Sequence, residues 1–163
     1  MNLLLLRATQ ITDDVATING RQLEHLLKVQ RAEIGNSVRV GLVNGLMGQA
    51  IIKTLDTQQA MLHIILDTPP PAITPLTLIL ALPRPKMLRR SLQTIAAMGV
   101  KTLYLVNSSR VEKSFWQTPL LAPEALEEQL LLGLEQAKDT LMPEIYLRKL
   151  FKPFVEDELA EIV

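Results

Sequence analysis

Four cations crowd one short stretch of the chain. Arg84, Lys86, Arg89 and Arg90 fall within seven residues of ALPRPKMLRRSLQTIAAMGV (81–100). Guanidinium and ammonium groups at this spacing can hold an anion, and a phosphate backbone rewards them through charge-assisted hydrogen bonds and released counterions. The alternative is a solvated basic helix face, paired with acidic residues elsewhere. Apolar periodicity predicts a helix over 86–98, with Leu88, Leu92 and Ile95 on one face and Arg89, Arg90 and Gln93 turned away from it. On this reading Arg84 and Lys86 lie on the loop before the helix, and Arg89 and Arg90 in its first turns. Cations there oppose the helix dipole, so local helix stability does not select them. Arg110 and Lys113 follow the next apolar run, TLYLV (102–106), and extend the cluster into one basic rim.

Other chemistries find less support. His25 and His63 are the only histidines, and neither has the His or carboxylate spacing of a metal site. A lone histidine is more often a surface or packing residue than a catalyst. The absence of cysteine excludes disulfides and thiolate metal sites. Ser108-Ser109 has no G-x-S-x-G frame. The seven glycines form neither G-x-G-x-x-G nor a P-loop. Phe115 and Trp116 could stack on a base, but large aromatics are mostly packing residues.

Formal charge is zero overall and uneven along the chain. Residues 1–75 carry six Lys/Arg and six Asp/Glu, residues 76–113 seven against the single Glu112, and residues 114–163 four against ten. The middle block can create a local positive field, or the acidic block can neutralise it. An apolar content of 48% argues for a folded chain. Four leucines near the N-terminus are too few for a signal sequence, and no apolar run reaches the roughly 20 residues of a membrane span. The chain reads as cytoplasmic.

These elements position the cations. Strands are expected at 3–7, at Val38–Leu42 before an Asn44-Gly45 turn, and at 48–55 and 59–66, with one short helix at 20–29. Residues 1–67 therefore read as a small, mostly β barrel. DTPPPAITP (67–75) holds four prolines in nine residues, so 68–75 reads as a linker. From 76 to 163 the pattern alternates: LTLILAL (76–82) as a strand buried on both faces, the 86–98 helix, strand 102–106, a helix from Pro123 to about 138, strand 144–150 and a helix at 154–162. That is a parallel α/β sheet. The fold class is α+β followed by α/β. Three strands make a small parallel sheet, so more of the α/β domain is expected beyond this sequence.

Three stretches together resemble a known family. HLLKVQRAEIGNSVRV (25–40) is similar to its H-hydrophobic-x-x-V-x-R-x-x-x-G-D-x-hydrophobic segment. Residues 81–100 resemble its A-L-P-K-x-x-x-M-x-x-x-L-Q-K-x-x-E-L-G-V, and LEQAKDTLMPEI (134–145) its A-x-E-Q-S-x-R-x-x-x-P-E-I. The family is the 16S ribosomal RNA uridine N3 methyltransferases of the SPOUT class. The resemblance implies an N-terminal PUA-like β-barrel, a trefoil-knotted α/β domain binding S-adenosylmethionine, a homodimer, and 16S ribosomal RNA or the small ribosomal subunit as partner. It implies that His25, Arg31, Arg84, Lys86 and Arg110 face RNA, with Arg89, Arg90 and Lys113 completing the basic set, and that Glu135 and Gln136 shape the domain. The departures are Gln30 for a leucine, Ala97-Met98 for an acidic residue and leucine, and Asp139-Thr140 for a Ser-Gly-Arg-like stretch. The family's G-P-E-G-G loop has no counterpart, since no glycine follows Gly133. The resemblance thus implies that the knot and most of the methyl-donor pocket are absent from this chain, and it offers no residue for proton removal from uridine N3. A non-catalytic RNA-binding module and an α/β interaction protein remain as alternatives.

Overall fold

The computed structural model describes residues 2–162. Its contacts form two compact units. One runs to Pro71 and also takes in Leu134–Leu141; the other comprises Ala72–Gly133 and the residues from Met142 on. The return of 134–141 to the first unit is not written in any composition shift.

The first unit is a six-stranded mixed sheet. β1 (Leu4–Leu6) is followed by the short β2 (Ile11–Thr12) and β3 (Val15–Ile18), then β4 (Ser37–Leu42), β5 (Met47–Leu55) and β6 (Ala60–Thr68). The order is β1-β4-β5-β6-β3-β2, with β1 parallel to β4 and the remaining pairs antiparallel. β2 and β3 are not foreseen from sequence, because two to four residues around Asp13-Asp14 give no countable alternation. The Asn44-Gly45 turn forms, with Asn44 at φ 58° and the Gly45 N–H donating to the Leu42 carbonyl at 2.8 Å. Leu4, Leu6, Ile18, Leu26, Val40, Ile52 and Leu62 fill the core. The expected 20–29 helix is of two kinds: α1 (Gly20–Glu24) continues as a π-helical turn over His25–Val29, closed by Gln30 N–H to the His25 carbonyl at 3.1 Å. Leu23 and Leu26 both reach the core, as residues three apart on one helix face do, while His25 stays half-buried.

Residues 134–141 are stitched into this unit. The N–H groups of Asn2 and Leu3 both donate to the Glu135 carbonyl at 3.0 Å, and the Asn44 N–H donates to the Thr140 carbonyl at 2.8 Å. The Thr140 hydroxyl donates to the Gly45 carbonyl at 2.6 Å. The Glu135 side chain, 2% exposed, accepts a two-pronged contact from Arg21 at 2.8 and 2.9 Å.

The second unit alternates as expected: β7 (Thr77–Ala81), α2 (Pro85–Ala97), β8 (Thr102–Val106), α3 (Pro123–Ala137), β9 (Glu144–Arg148), then helical segments Phe151–Pro153, Phe154–Glu158 and Leu159–Ile162. Its sheet is parallel throughout, in the order β7-β8-β9. Leu88, Leu92, Ile95, Leu103, Leu105, Leu126 and Leu130 are buried. β7 corrects the expectation of a strand buried on both faces. Thr77, Ile79 and Ala81 are exposed, Ile79 at 38%. Among the described residues β7 has a neighbour on one side only, so its outward face lacks the cover that a central parallel strand receives. No helix among the described residues is long and apolar enough to cross a membrane.

α3 crosses α2 at Gly133. A Cβ there would collide with the Gln93 carbonyl oxygen and lie 2.8 Å from the Ala96 Cβ. Alanine is the better helix former by about 0.8–1 kcal/mol, yet the collision is with backbone, which cannot rotate away. Gly133→Ala is therefore expected to destabilise by about 1 kcal/mol net, read as a lower urea midpoint; a midpoint at or above wild type would contradict the close approach.

Candidate nucleic-acid interface

Parallel pairing places the carboxyl ends of β7, β8 and β9 side by side, with Ala81 opposite Val106 and Val106 opposite Arg148. The Leu82 N–H donates to the Val106 carbonyl at 2.9 Å, and the Asn107 N–H to the Arg148 carbonyl at 3.1 Å, so the loops leave the sheet together. Ligands of open parallel sheets bind outside this edge. Arg84 is the N-cap of α2, on the β7 loop; Arg110 lies in the loop after β8, and Lys113 opens the 3-10 helix Lys113–Gln117 that follows. α2 starts at Pro85, a favoured first helical residue, which moves Lys86 from the expected loop into the first turn. That turn carries no acidic residue and no side-chain cap.

Lys86, Arg89 and Arg90 line one wall of a groove of ≈ 670 Å³. The opposite wall comes from Thr118, Pro119 and Leu120, at the start of the 3-10 turn Pro119–Leu121, and from Glu128 and Gln129 of α3. Gln93 Nε2 donates to Gln129 Oε1 at 2.8 Å and fastens α2 to α3 beneath the cations. Arg84, Lys86, Arg89, Arg90, Arg110 and Lys113 are all exposed. Among the described residues none of them forms an ion pair. Ion pairs do form at Arg21, Lys28, His63, Arg148 and Lys152. Glu158 holds Arg148 at 2.7 Å, and Glu128 is the one carboxylate on the groove walls, facing three cations.

Sequence reasoning missed part of this edge. Lys149 follows β9, and its ammonium lies 5.9 Å from the centre of the Trp116 ring. Trp116 is half-buried, and its indole N–H donates to Asn107 Oδ1 at 3.3 Å. The signal was available: a parallel third strand ending at Arg148 must deliver the next residue to the same edge. Arg148 itself is occupied, bound to Glu158 and lying over the stacked Tyr104 and Tyr146 rings at 5.6 and 5.5 Å.

His25 and Arg31 belong to the first unit and are not among the rim cations. Arg31 is exposed, at φ 49° just past the π turn. Partial burial holds the His25 imidazole below its ordinary value of 6.5, with Glu135 acting in the opposite sense. At neutral pH it is expected to be an uncharged hydrogen-bonding group, and an NMR titration should place its midpoint below 6.5; a midpoint above that value would contradict the effect of burial. His63 instead pairs with Asp14 at 2.8 Å. No cluster of possible metal ligands occurs among the described residues.

For a nucleotide-like methyl donor, a glycine-lined close approach at the sheet edge would be informative. The two glycines of the second unit serve α2 instead: Gly99 ends that helix at φ 81°, and Gly133 admits it against α3. The described residues thus supply no glycine cradle at this edge.

A family model described as an RNA methyltransferase domain matches residues 70–161. The chain is 28% identical over 158 residues to "Ribosomal RNA small subunit methyltransferase E" of Treponema pallidum, covering 94% of this chain and 59% of that protein. It is 22% identical over 165 residues to "Ribosomal RNA small subunit methyltransferase E 1" of Borreliella burgdorferi, covering 99% of this chain and 69% of that protein. Among solved structures, the Neisseria gonorrhoeae ribosomal RNA small subunit methyltransferase E bound to S-adenosyl methionine superposes with a TM-score of 0.71 at 17% identity, over 99% of this chain and 67% of that one. The chain thus spans less than two thirds of the Treponema relative's length.

Proposed function

Because this chain belongs to the RNA methyltransferase domain family, we propose that it is part of an enzyme that methylates N3 of a uridine in 16S ribosomal RNA, with S-adenosylmethionine as donor. The observation that carries the reading is the unpaired basic rim at the carboxyl edge of a parallel sheet, lying within the segment that the family model matches. The names of the relatives support the small-subunit rRNA substrate, and the ligand of the Neisseria structure supports the donor. In this reading the six-stranded unit is a PUA-like barrel, the parallel unit is the first part of a SPOUT domain, and the intact protein is a homodimer.

The residues of this chain bind and orient the RNA. Arg84, Lys86, Arg89, Arg90, Arg110 and Lys113 take phosphates, and His25 and Arg31 are contacts on the first unit. Holding the uridine in place supplies rate, because orientation removes much of the entropic barrier. No residue of this chain is assigned to the donor or to the uridine proton.

The test is the nucleoside content of small-subunit rRNA. Deleting the gene should remove one N3-methyluridine, read by mass spectrometry of digested 16S rRNA, and the intact gene should restore it. An unchanged nucleoside profile would overturn the assignment.

A further inference from the structure

We propose that the first unit grips the sugar–phosphate backbone of double-helical RNA through Arg39 and Lys138, and does not read bases by stacking. The inference rests on the RNA-binding reading above and names a second contact surface for it.

Two open clefts of ≈ 620 and ≈ 610 Å³ lie on this unit and share Leu3, Arg39 and Lys138 as walls. Both cations are exposed, and among the described residues neither forms an ion pair. The nearby amides use their oxygens within the protein. Asn36 Oδ1 already accepts the Glu33 N–H at 2.8 Å, and Gln49 Oε1 accepts the Ser37 hydroxyl at 3.3 Å, which leaves the two NH₂ groups to meet a ligand. The one carboxylate on these walls, Asp67, accepts the Thr68 hydroxyl at 2.8 Å. Two cations with flanking amide donors match phosphate and 2′-hydroxyl oxygens.

Lys138 stands where a different residue would be expected. It ends α3 at φ 58°, and the Asp139 N–H closes back on the Leu134 carbonyl at 3.2 Å. Glycine is the usual residue at that helix-ending position, because a side chain is strained there. A lysine gives up that ease and puts a cation on both clefts.

Composition decides between paired and unpaired RNA. Residues 1–71 and 134–141 contain no Phe, Trp or Tyr. Single-stranded bases are held largely by stacking on aromatic rings, whereas A-form duplexes are recognised by shape, phosphates and 2′-hydroxyls. A surface of cations and amides without rings suits the duplex.

The experiment is fluorescence anisotropy on the full chain, with a short RNA duplex and with single-stranded poly(U) of equal length, across a salt series. Replacing both residues (Arg39→Gln with Lys138→Gln) should weaken duplex binding about tenfold and flatten its log–log salt slope by about 1.5. Poly(U) binding should change less than threefold. Lys138→Gly should weaken duplex binding while leaving the melting temperature unchanged or higher, which separates binding from folding. Equal losses on both ligands would overturn the duplex assignment. Unchanged duplex binding in the double variant, with binding still lost on replacing Lys86, Arg89 and Arg90, would remove this surface and keep the RNA reading. Wild-type protein that binds neither ligand at low salt would remove both.

Discussion

Replacing Lys86, Arg89 and Arg90 together with glutamine is expected to lower affinity for a 16S rRNA fragment by about 100-fold at 0.15 M salt, roughly 2.7 kcal/mol. The three side chains form one wall of a groove, are exposed, and have no ion-pair partners among the described residues. Binding an anion there costs no broken protein contact. The log–log salt slope should become shallower by about 2–3, because up to three fewer counterions are released. Stability should move the other way. Lys86, in the first turn of α2, opposes the helix dipole by about 0.3–1 kcal/mol, and the exposed Arg89 and Arg90 hold no ion pair, so the variant should melt no lower than wild type. Weaker binding with an unchanged or raised melting point is the signature of a binding surface. Unchanged affinity and slope would return the cluster to a solvated helix face.

The second large effect is on stability. Arg21→Met should destabilise the protein by about 2 kcal/mol, read as a lower urea midpoint. Glu135 is 2% exposed and would lose both guanidinium contacts, made at 2.8 and 2.9 Å. Stranding a buried charge usually costs about 3–5 kcal/mol. The smaller figure applies because the Arg21 side chain is 48% exposed, so solvent screens the pair and can partly replace it. Replacing both partners (Arg21→Met with Glu135→Leu) should restore most of the loss, since two apolar side chains leave no orphaned charge. A single variant as stable as wild type would mean that water solvates the carboxylate on its own.

The alternation of the second unit was legible because its strands are continuous apolar runs and its helices carry leucine stripes, as at Leu88, Leu92 and Ile95 or Leu126 and Leu130. The same rule misled for β7. LTLILAL has the composition of a strand covered on both sides, but composition records what a strand can bury, not what lies beside it. The rim cations were legible through charge that helix physics does not explain. The groove's far wall was not, because Pro119–Leu121 is a 3-10 turn with no periodicity to count. Lys138 and Arg39 were invisible for another reason. Single cations about a hundred residues apart have no common pattern until residues 134–141 rejoin the first unit. That return is held partly by main-chain bonds from Asn2 and Leu3 to Glu135, which leave no mark on the sequence, and partly by the Arg21–Glu135 and Thr140–Gly45 contacts, whose partners are about a hundred residues apart.

The same return sets a timetable for synthesis. A chain emerging from the ribosome presents all six strands of the first unit by Pro71, yet Leu134–Leu141 are complete only after 70 further residues, 72–141, have been added. At about 5–20 residues per second the sheet waits roughly 4–14 s for its last segment. In that interval the Asn44 N–H, the Gly45 carbonyl and the Arg21 guanidinium lack the partners they hold in the finished fold. A nascent chain halted near residue 100 should therefore be readily cleaved by protease in its first unit, and one halted well beyond residue 141 should resist.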